Sequence, residues 1–346
     1  MTGPASTRVC AEGRGSSRAP HPPIHPADLA HWTERTRSPR GRGGFALISV
    51  LWVIVGVSAL ALVANVAARE AVAASRNRAD LAAASWEAEA CLARVRAAIG
   101  EALIASRNEG PGATVWGRMD RAVAQSPLVA NSACDVEMRP AGAALDINAA
   151  QGETIRRLLV ALGHAPAGAD SLADALADWR DEDDTPRPLG AESDWYRAAG
   201  LPIPRNGPLA DIRELSRVRG WASVAGMDTL LSTEPGRVPL TYAPPAVVAA
   251  LPGLGPEAAA RLEEMRMRGD QVADLAAFAG SLPSGAREEA MRRYPDLVGA
   301  AVTEPEAWIV AARGAVGAPP AVSVVEVRLV RASQRAAVVR RRTWTE

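Results

Sequence analysis

An uncharged apolar stretch near the start of the chain limits the possible folds more than any other feature. Within Phe45–Ala68 no side chain is charged, and Ser49, Ser58 and Asn65 are the only clearly polar residues. As a helix, this stretch would extend roughly 36 Å, which exceeds the hydrocarbon core of a bilayer at about 30 Å. The sequence therefore predicts a transmembrane helix at residues 45–68, followed by a folded body.

The segment before the apolar stretch, residues 1–44, is a basic leader in which seven arginines outnumber three acidic residues. Arginines directly ahead of a membrane helix stay on the cytoplasmic side, so the body is expected on the opposite side. A secretory signal is cleaved after its apolar region, whereas the natural break here, Gly44–Phe45, lies before it. Cleavage at that bond would remove the leader and leave the helix attached to the body.

The body after residue 68 is predicted to have three parts. Residues 69–145 continue the helix and add the first strands, and residues 146–300 contain short helices joined by loops. Residues 301–346 return to strand character. Strands, then a helical block, then strands indicate an α+β protein with a large inserted α-helical domain.

The spacing of apolar residues and the positions of helix-breaking residues predict individual helices and strands. Asn148 is predicted to cap a helix at Glu153–Leu162, and Asn108–Gly112 is predicted to end the long helix. The long helix has one apolar stripe at steps of three or four residues, formed by Leu81, Ala84, Ala88, Leu92, Val95, Ile99 and Leu103. Further helices are predicted from Ser171 to Trp179, at Leu209–Val218 and at Val272–Ala279, and strands at Ala113–Met119, Ala133–Arg139, Ala307–Val310, Val322–Val330 and Ala336–Arg341.

The most chemically distinctive segment is acidic, with seven carboxylates within seventeen residues: Asp178, Asp181, Glu182, Asp183, Asp184, Glu192 and Asp194. Clustered oxygen ligands on a loop suit Ca²⁺. Counted from Asp181, Glu192 stands twelfth, where an EF-hand loop has its glutamate. Pro186 stands sixth, where that loop needs glycine, so an EF-hand is not predicted. By composition alone, the segment is also compatible with a solvated acidic loop that pairs with Arg180 and Arg187.

Other functional classes find little support in the sequence. The formal net charge is zero and the chain has four histidines, three of them in the leader, so neither a nucleic-acid surface nor a histidine-based catalytic site is indicated. Leu251–Gly255 is similar to the turn of a helix-hairpin-helix, but Pro256 and Glu257 follow it instead of basic residues. In the body, Cys91 and Cys134 could pair in an oxidising compartment or remain two separate buried thiols.

The order of basic leader, glycine, phenylalanine and apolar helix resembles the type IV prepilin and pseudopilin class. In that class a prepilin peptidase cuts after the glycine and methylates the new N-terminus, which implies cleavage between Gly44 and Phe45 and N-methylation of Phe45. Most members have a glutamate five residues into the mature chain, where this sequence has Ser49. The K-type minor pseudopilins of type II secretion lack that glutamate, and their first residues are similar to Ala46–Val53.

Several more motifs resemble the same K type and stand in the same order: Asp178–Asp181, Gly190–Glu192, Asp194–Tyr196, Asn206–Leu209, Glu214–Leu215 and Thr241–Gly253. The resemblance implies the pseudopilin fold, in which a long N-terminal transmembrane helix packs on an antiparallel sheet. It also implies a structural Ca²⁺ in the helical domain, for which the fitting ligands in this chain are Asp181, Asp183, Glu192 and Asp194.

The function implied by the resemblance is that of a non-catalytic minor pseudopilin at the tip of the type II secretion pseudopilus, which helps to initiate assembly and protein export across the outer membrane. Its partners would be the I- and J-type minor pseudopilins, the major pseudopilin, prepilin peptidase and the inner membrane, with the body in the periplasm and no nucleic acid. The alternative is a signal-anchored periplasmic protein with a helix-hairpin-helix-like domain that binds DNA or another ligand.

Overall fold

The computed structural model describes residues 43–107 and 114–346. Residues 1–42 of the predicted leader lie outside the described residues, and so does the predicted helix break at Asn108–Gly112. The chain divides into two compact units, of which the first ends at Ala67 and the second comprises Ala68–Glu346.

The described residues of the first unit belong to one helix. This helix, α1 (Gly43–Ala105), starts here and continues into the second unit. Among the described residues it is the one helix long and apolar enough to cross a membrane, with a mean hydropathy of 2.7 in its most apolar window. In the first unit the large apolar side chains of this helix are exposed, for example Leu47 at 75% and Trp52 at 71%. Such a continuous apolar surface is suited to lipid rather than to water.

The remaining helices are short, and several have proline in the first turn, where its fixed backbone angle is favourable. In chain order they are α2 (Met119–Gln125), α3 (Pro127–Ala130), α4 (Gly152–Ala161), α5 (Pro166–Arg180), α6 (Ser193–Ala198), α7 (Met227–Leu230), α8 (Pro245–Ala250), α9 (Pro256–Arg268), α10 (Leu275–Gly280), α11 (Ser284–Arg292) and α12 (Tyr294–Ala300). Turns of 3₁₀ helix occupy Val115–Arg118, Ile212–Arg217 and Trp221–Ser223.

Two kinds of sheet are present. The strands are β1 (Asp135–Pro140), β2 (Leu145–Asp146), β3 (Leu231–Ser232), β4 (Val238–Pro239), β5 (Ala301–Val302), β6 (Ala307–Val316), β7 (Ala321–Ala332) and β8 (Arg335–Thr345). In the described chain, the main sheet has the order β1-β6-β7-β8, and every neighbouring pair is antiparallel. The two-residue strands form the parallel pairs β2-β3 and β4-β5.

The part of α1 in the second unit packs on one face of the main sheet. Its predicted stripe from Ala84 to Leu103 is buried, together with alternate residues of β6 and β7 such as Val310 and Val327. Gly314 on β6 permits close contact between helix and strand, because a Cβ atom there would collide with the backbone carbonyl of Ala84. The α+β fold predicted from the sequence, with its long N-terminal apolar helix on an antiparallel sheet, is confirmed.

A disulfide joins α1 to the segment that enters the main sheet. Cys91 on α1 is bonded to Cys134, which directly precedes β1, with their Cα atoms 5.4 Å apart. Cys91 is buried in the core between α1 and the sheet. The sequence left this pairing open, and the structure contains it.

The chain from β2 to β5 builds a helical block with its own core. The block is closed by the two parallel strand pairs, which join β2 to β3 and β4 to β5. Its apolar core includes the predicted face of α4, with Ile155, Leu158 and Leu159 fully buried. The acidic segment identified in the sequence lies within this block, between α5 and α6.

Three predictions about single elements are wrong. The predicted strand at Ala113–Met119 is a 3₁₀ turn followed by α2, as far as residues 114–119 are described. The predicted helix at Leu209–Val218 is 3₁₀ helix over Ile212–Arg217. Asn148 does not cap α4, whose N-cap is Gln151. The Asn148 side chain instead exchanges hydrogen bonds of 3.0 and 2.8 Å with the backbone of Leu209.

Candidate metal centre

The acidic segment starts on the last turn of α5 and ends where α6 begins. Leu172, Leu176 and Trp179 hold α5 in the core of the helical block. The same helix turn carries Asp178 into the interior, where its side chain is fully buried. Asp181 is the C-cap of α5, and Glu192 is the N-cap of α6. The two helix ends therefore bring carboxylates from both sides of the loop together.

Three carboxylates converge at this point, which we call the acidic cluster: Asp178, Asp181 and Glu192. One oxygen of each lies within 4.8 Å of the others. The close packing of the loop depends on Gly190, since a Cβ atom at that position would collide with a carboxylate oxygen of Asp178. The loop backbone at Gly190 thus packs directly against the buried carboxylate of Asp178.

Glu192 is a buried carboxylate without a polar partner in the described chain. Its side chain is 4% exposed. Both of its carboxylate oxygens are buried and have no hydrogen-bond partner among the described residues. Burial and, after it, the charges of the neighbouring carboxylates, first Asp178 and then Asp181, together raise the pKa of Glu192 to about 7. A buried carboxylate in this condition is costly unless a positive charge or a proton compensates it.

Arg187 supplies the one guanidinium that contacts the acidic cluster in the described chain. Its Nη1 atom donates to Asp178 Oδ1 at 2.6 Å and to Asp181 Oδ2 at 2.5 Å. These hydrogen bonds, with Asp181 contributing most, raise the pKa of Arg187 above its usual range. Its backbone N–H also donates to Asp178, at 3.2 Å from Oδ2.

Arg180, the other arginine predicted to pair with the acidic loop, is directed elsewhere. Its guanidinium donates to the backbone carbonyls of Ile147 and Ala150. Burial lowers the pKa of Arg180, and the positive charge of Arg187 lowers it further. The acidic loop therefore pairs with Arg187 but not with Arg180.

Aromatic side chains form the wall behind the cluster. Tyr196 on α6 is fully buried, with its ring edge-on to Trp179 at 5.3 Å between centroids. Its hydroxyl accepts a hydrogen bond of 2.9 Å from the backbone N–H of Arg219. The Arg219 guanidinium donates to the carbonyl of Gly190 at 2.8 Å and lies over the ring of Trp195. These contacts fix the loop at the position where Gly190 meets Asp178.

Two of the four ligands predicted from the sequence lie outside the acidic cluster. Asp183 Oδ1 accepts a hydrogen bond of 2.8 Å from the backbone N–H of Thr185. Asp194 pairs with Arg197 at 2.5 Å, and its side chain is 97% exposed. Conversely, Asp178 was not among the predicted ligands. Its spacing of three residues from Asp181, at the end of a helix, was the signal that could have identified it.

A second polar group lies beside the cluster on the same loop. Asp184 Oδ1 accepts hydrogen bonds from Ser193 Oγ at 2.8 Å and from Asn206 Nδ2 at 3.1 Å, and these bonds lower the pKa of Asp184. Asn206 adopts a positive φ of 49°, and its Oδ1 atom is buried without a partner in the described chain. Asp184 thus has its donors, whereas Asn206 Oδ1, on the segment after α6, has none in the described chain.

The donor set fits a hard divalent cation. All the converging groups are carboxylates, and the unpartnered buried oxygens belong to Glu192 and Asp181. Calcium prefers six to eight oxygen ligands and accepts irregular geometry, whereas zinc sites usually include histidine or cysteine. Asp178, Asp181 and Glu192 are therefore compatible with Ca²⁺.

Comparison with known proteins identifies the part of the chain that holds this cluster. Residues 130–228 match the family described as type II secretion system protein K. This region is similar to that family. The resemblance to the K type that the sequence motifs indicated is thereby confirmed. The K-family region includes β1, α4, α5, α6 and all three residues of the acidic cluster.

One curated protein is similar to this chain in sequence, and one solved structure is similar to it in fold. A stretch of 68 residues is 40% identical to type II secretion system protein K of Dickeya chrysanthemi, and the match spans 20% of this chain and 18% of that protein. One chain of the crystal structure of the GspK-GspI-GspJ complex from the type 2 secretion system of enterotoxigenic Escherichia coli has a similar fold. The match has a TM-score of 0.55 and 18% identity, and it covers 78% of this chain and 99% of that one.

The turn that resembles a helix-hairpin-helix is not available to a ligand. Leu251 and Leu254 are buried in the core of the helical block. Gly253 packs so closely on α11 that a Cβ atom there would lie 3.0 Å from the Cα of Ala290. Exposed N–H groups are what such a turn needs to bind a phosphate. In this structure the turn packs α8 and α9 against α11.

Proposed function

We propose that this protein is a non-catalytic minor pseudopilin of the K type, placed at the tip of the type II secretion pseudopilus. The observation that carries the proposal is the match of residues 130–228 to the protein K family. The long apolar helix on an antiparallel sheet supports it, because a pseudopilin is anchored and assembled through such a helix. The proposed role is to help initiate assembly and protein export across the outer membrane.

Processing of the N-terminus tests the pseudopilin assignment most directly. Prepilin peptidase is proposed to cleave between Gly44 and Phe45 and to methylate Phe45. Mass spectrometry of the protein extracted from inner membranes should find a peptide that begins with N-methylated Phe45. In cells without the peptidase, or in a Gly44→Val variant, the leader should be retained. An intact leader in cells with active peptidase would contradict the proposal.

Ser49, the fifth residue of the processed chain, supports a position at the tip of the pseudopilus. A carboxylate inside a bilayer is costly and persists where it has a partner, which in a filament would be the charged N-terminus of a neighbouring subunit. Ser49 cannot supply that carboxylate. A subunit at the end of the filament has no neighbour on one side and does not need it.

The partners proposed are the I- and J-type minor pseudopilins, with the major pseudopilin below them and the body in the periplasm. The similar crystal structure is that of a complex of GspK, GspI and GspJ. Co-expression of this chain with its I- and J-type counterparts, followed by affinity purification in detergent, should recover the three proteins together. Recovery of this protein alone, with each of the others folded, would contradict the proposed partners.

The acidic cluster is proposed to hold one Ca²⁺ through Asp178, Asp181 and Glu192. The ion would supply the positive charge that the buried carboxylates lack and would fix the loop between α5 and α6. The wild type should bind Ca²⁺ in calorimetry and show a melting temperature that rises by several degrees at saturation. A Glu192→Gln variant should lose most of both effects.

Asp194→Asn is the matched control, because Asp194 is a predicted ligand that lies exposed outside the cluster. It should retain the binding of the wild type. Loss of binding in Asp194→Asn with binding retained in Glu192→Gln would favour the ligand set predicted from the sequence. No binding in the wild type would remove the site.

A further inference from the structure

We infer that Arg187 is the built-in counter-ion of the acidic cluster and that a calcium ion must displace its guanidinium to bind. This inference rests on the calcium site proposed above. It assigns to Arg187 control of the affinity of the site: the side chain stabilises the cluster without the metal and competes with the metal for the same oxygens.

The first argument is the position of the guanidinium. Nη1 of Arg187 lies 2.6 Å from Asp178 Oδ1 and 2.5 Å from Asp181 Oδ2. Calcium contacts its oxygen ligands at about 2.3–2.6 Å. A cation that bridged the same two oxygens would therefore occupy the space that Nη1 now fills, and the two cannot be there together.

The second argument is charge. When all three carboxylates are ionised, the cluster and its one guanidinium have a net charge of about −2 at a largely buried point. Asp178, which is fully buried, has Arg187 as its ion-pair partner in the described structure. Without Arg187 and without a metal, this carboxylate would be buried and uncompensated, which is strongly unfavourable. A divalent cation in place of the guanidinium would reduce the net charge of the ionised cluster to about −1, so it compensates these carboxylates better than the arginine does.

The third argument is that the side chain has a route out. The Arg187 side chain is 41% exposed, although the carboxylate that it contacts is completely buried. The flanking prolines, Pro186 and Pro188, restrict the backbone on both sides. The backbone N–H of Arg187 donates to Asp178 independently of the side chain. The guanidinium can therefore turn into solvent while the loop keeps its path.

These features predict that replacing Arg187 lowers the stability of the metal-free protein but raises its affinity for Ca²⁺. In Arg187→Gln, the metal-free protein should melt at a lower temperature than the wild type, because Asp178 loses its counter-ion. The same variant should bind Ca²⁺ roughly tenfold to a hundredfold more tightly, because the competing charge at contact distance is gone. A residue with a purely structural role would weaken both states.

The experiment uses the full chain purified in detergent. Melting temperatures are measured after removal of calcium and at saturating Ca²⁺, and the dissociation constant is measured by calorimetry with Ca²⁺ alone. Arg197→Gln is the matched control, since Arg197 pairs with the exposed Asp194 outside the cluster. It should leave both quantities close to those of the wild type. Arg187→Lys, which retains one charge, should fall between wild type and Arg187→Gln and provides a second variant if Arg187→Gln does not fold.

The outcomes separate the two proposals. If the wild type binds Ca²⁺ in a manner that depends on Glu192, and Arg187→Gln binds with equal or lower affinity, the role of Arg187 is overturned while the calcium site stands. If neither protein binds Ca²⁺, both proposals fall. Tighter binding together with lower metal-free stability in Arg187→Gln, and neither change in Arg197→Gln, supports the inference.

Discussion

At the scale of the residue, Glu192 makes the stability of the calcium-free protein depend on pH. Its pKa is raised from 4.5 to about 7, first by burial and then by Asp178, Asp181, Asp184 and Asp183. Between these two pH values the folded protein binds more protons than the unfolded chain does. Its free energy of unfolding should therefore fall as the pH rises from about 4.5 to 7, by up to about 3 kcal/mol.

Urea unfolding at pH 5, 6 and 7 after removal of calcium measures this dependence. Glu192→Gln removes the titrating group while keeping the shape of the side chain. As the pH rises, the free energy of unfolding of the wild type should thus fall relative to that of Glu192→Gln. Parallel pH profiles for the two proteins would show that Glu192 does not titrate in this range. Saturating Ca²⁺ should remove most of the difference.

The sequence located the acidic segment but did not identify which carboxylates meet. Asp181 and Glu192 were predicted as ligands and do converge, whereas Asp183 and Asp194 face away from the cluster. The direction of each side chain depends on where α5 ends and on the close contact between Gly190 and Asp178. Neither fact can be read from composition, which reports only that many carboxylates are near one another in the chain.

At the scale of the element, the contact between α1 and β6 depends on Gly314. A Cβ atom there would collide with the Ala84 carbonyl and lie 2.8 Å from the Ala88 backbone nitrogen. Because both obstacles are backbone, they cannot move aside as a side chain could. We expect Gly314→Ala to lower the free energy of unfolding by about 2 kcal/mol or more.

Gly100→Ala on the same helix is the control for Gly314→Ala. No atom lies within 4 Å of the position that its Cβ would occupy. Alanine favours a helix more than glycine does, so this variant should be unchanged or more stable by up to about 1 kcal/mol. Urea unfolding of both variants checks the pair, and equal effects would show that the helix does not approach β6 as described.

The disulfide between Cys91 and Cys134 fixes α1 to the start of β1 across a sequence separation of 43 residues. Closing a loop of that length in the unfolded chain corresponds to a stabilisation of about 4 kcal/mol in the chain-entropy estimate. We expect a Cys91→Ala, Cys134→Ala variant to lose up to that amount in urea unfolding. Thiol alkylation of the unreduced wild type should label neither residue, and labelling of both would contradict the pairing.

The wrongly predicted strand at Ala113–Met119 shows where local pattern stops being informative. Val115 and Trp116 favour strands by propensity. In the structure Trp116 is buried, its indole N–H donates to the carbonyl of Pro305 at 2.8 Å, and its carbonyl accepts from the Trp308 indole at 3.0 Å. These contacts join residues nearly two hundred positions apart, and tertiary packing overrides the propensity.

At the scale of the whole second unit, the sequence predicted the order of parts better than their connections. The alternation in β1 and β7 and the helical spacing of α4 were visible because they are local. The pairing of β1 with β6, which joins strands on either side of the entire helical block, was not visible. The disulfide pairing and the parallel pairs β2-β3 and β4-β5 belong to the same class of long-range contact.

The helical block and the main sheet are joined by an ionic cluster around Glu234. This residue lies between β3 and β4, and it is 8% exposed. Arg328 on β7 lies 3.7 Å from its Oε2 atom, and Arg342 on β8 lies 3.5 Å from Oε1. Arg340 on β8 also contacts Oε2. One carboxylate of the block thus lies among three guanidinium groups of the sheet and reduces the repulsion between them.

Removing the charge of Glu234 should weaken the second unit as a whole. In Glu234→Gln the three arginines repel one another without a compensating carboxylate, and a broken buried ion pair typically costs about 3–5 kcal/mol. Because the block and the sheet share this cluster, we expect the urea midpoints of both to fall together. Far-ultraviolet circular dichroism and tryptophan fluorescence are the two probes that measure these midpoints. Asp211→Asn is the control, since its pair with Arg213 is exposed on both sides and should change the free energy of unfolding by less than about 1 kcal/mol. An effect of Glu234→Gln no larger than that of the control would show that the ionic cluster does not hold the block to the sheet.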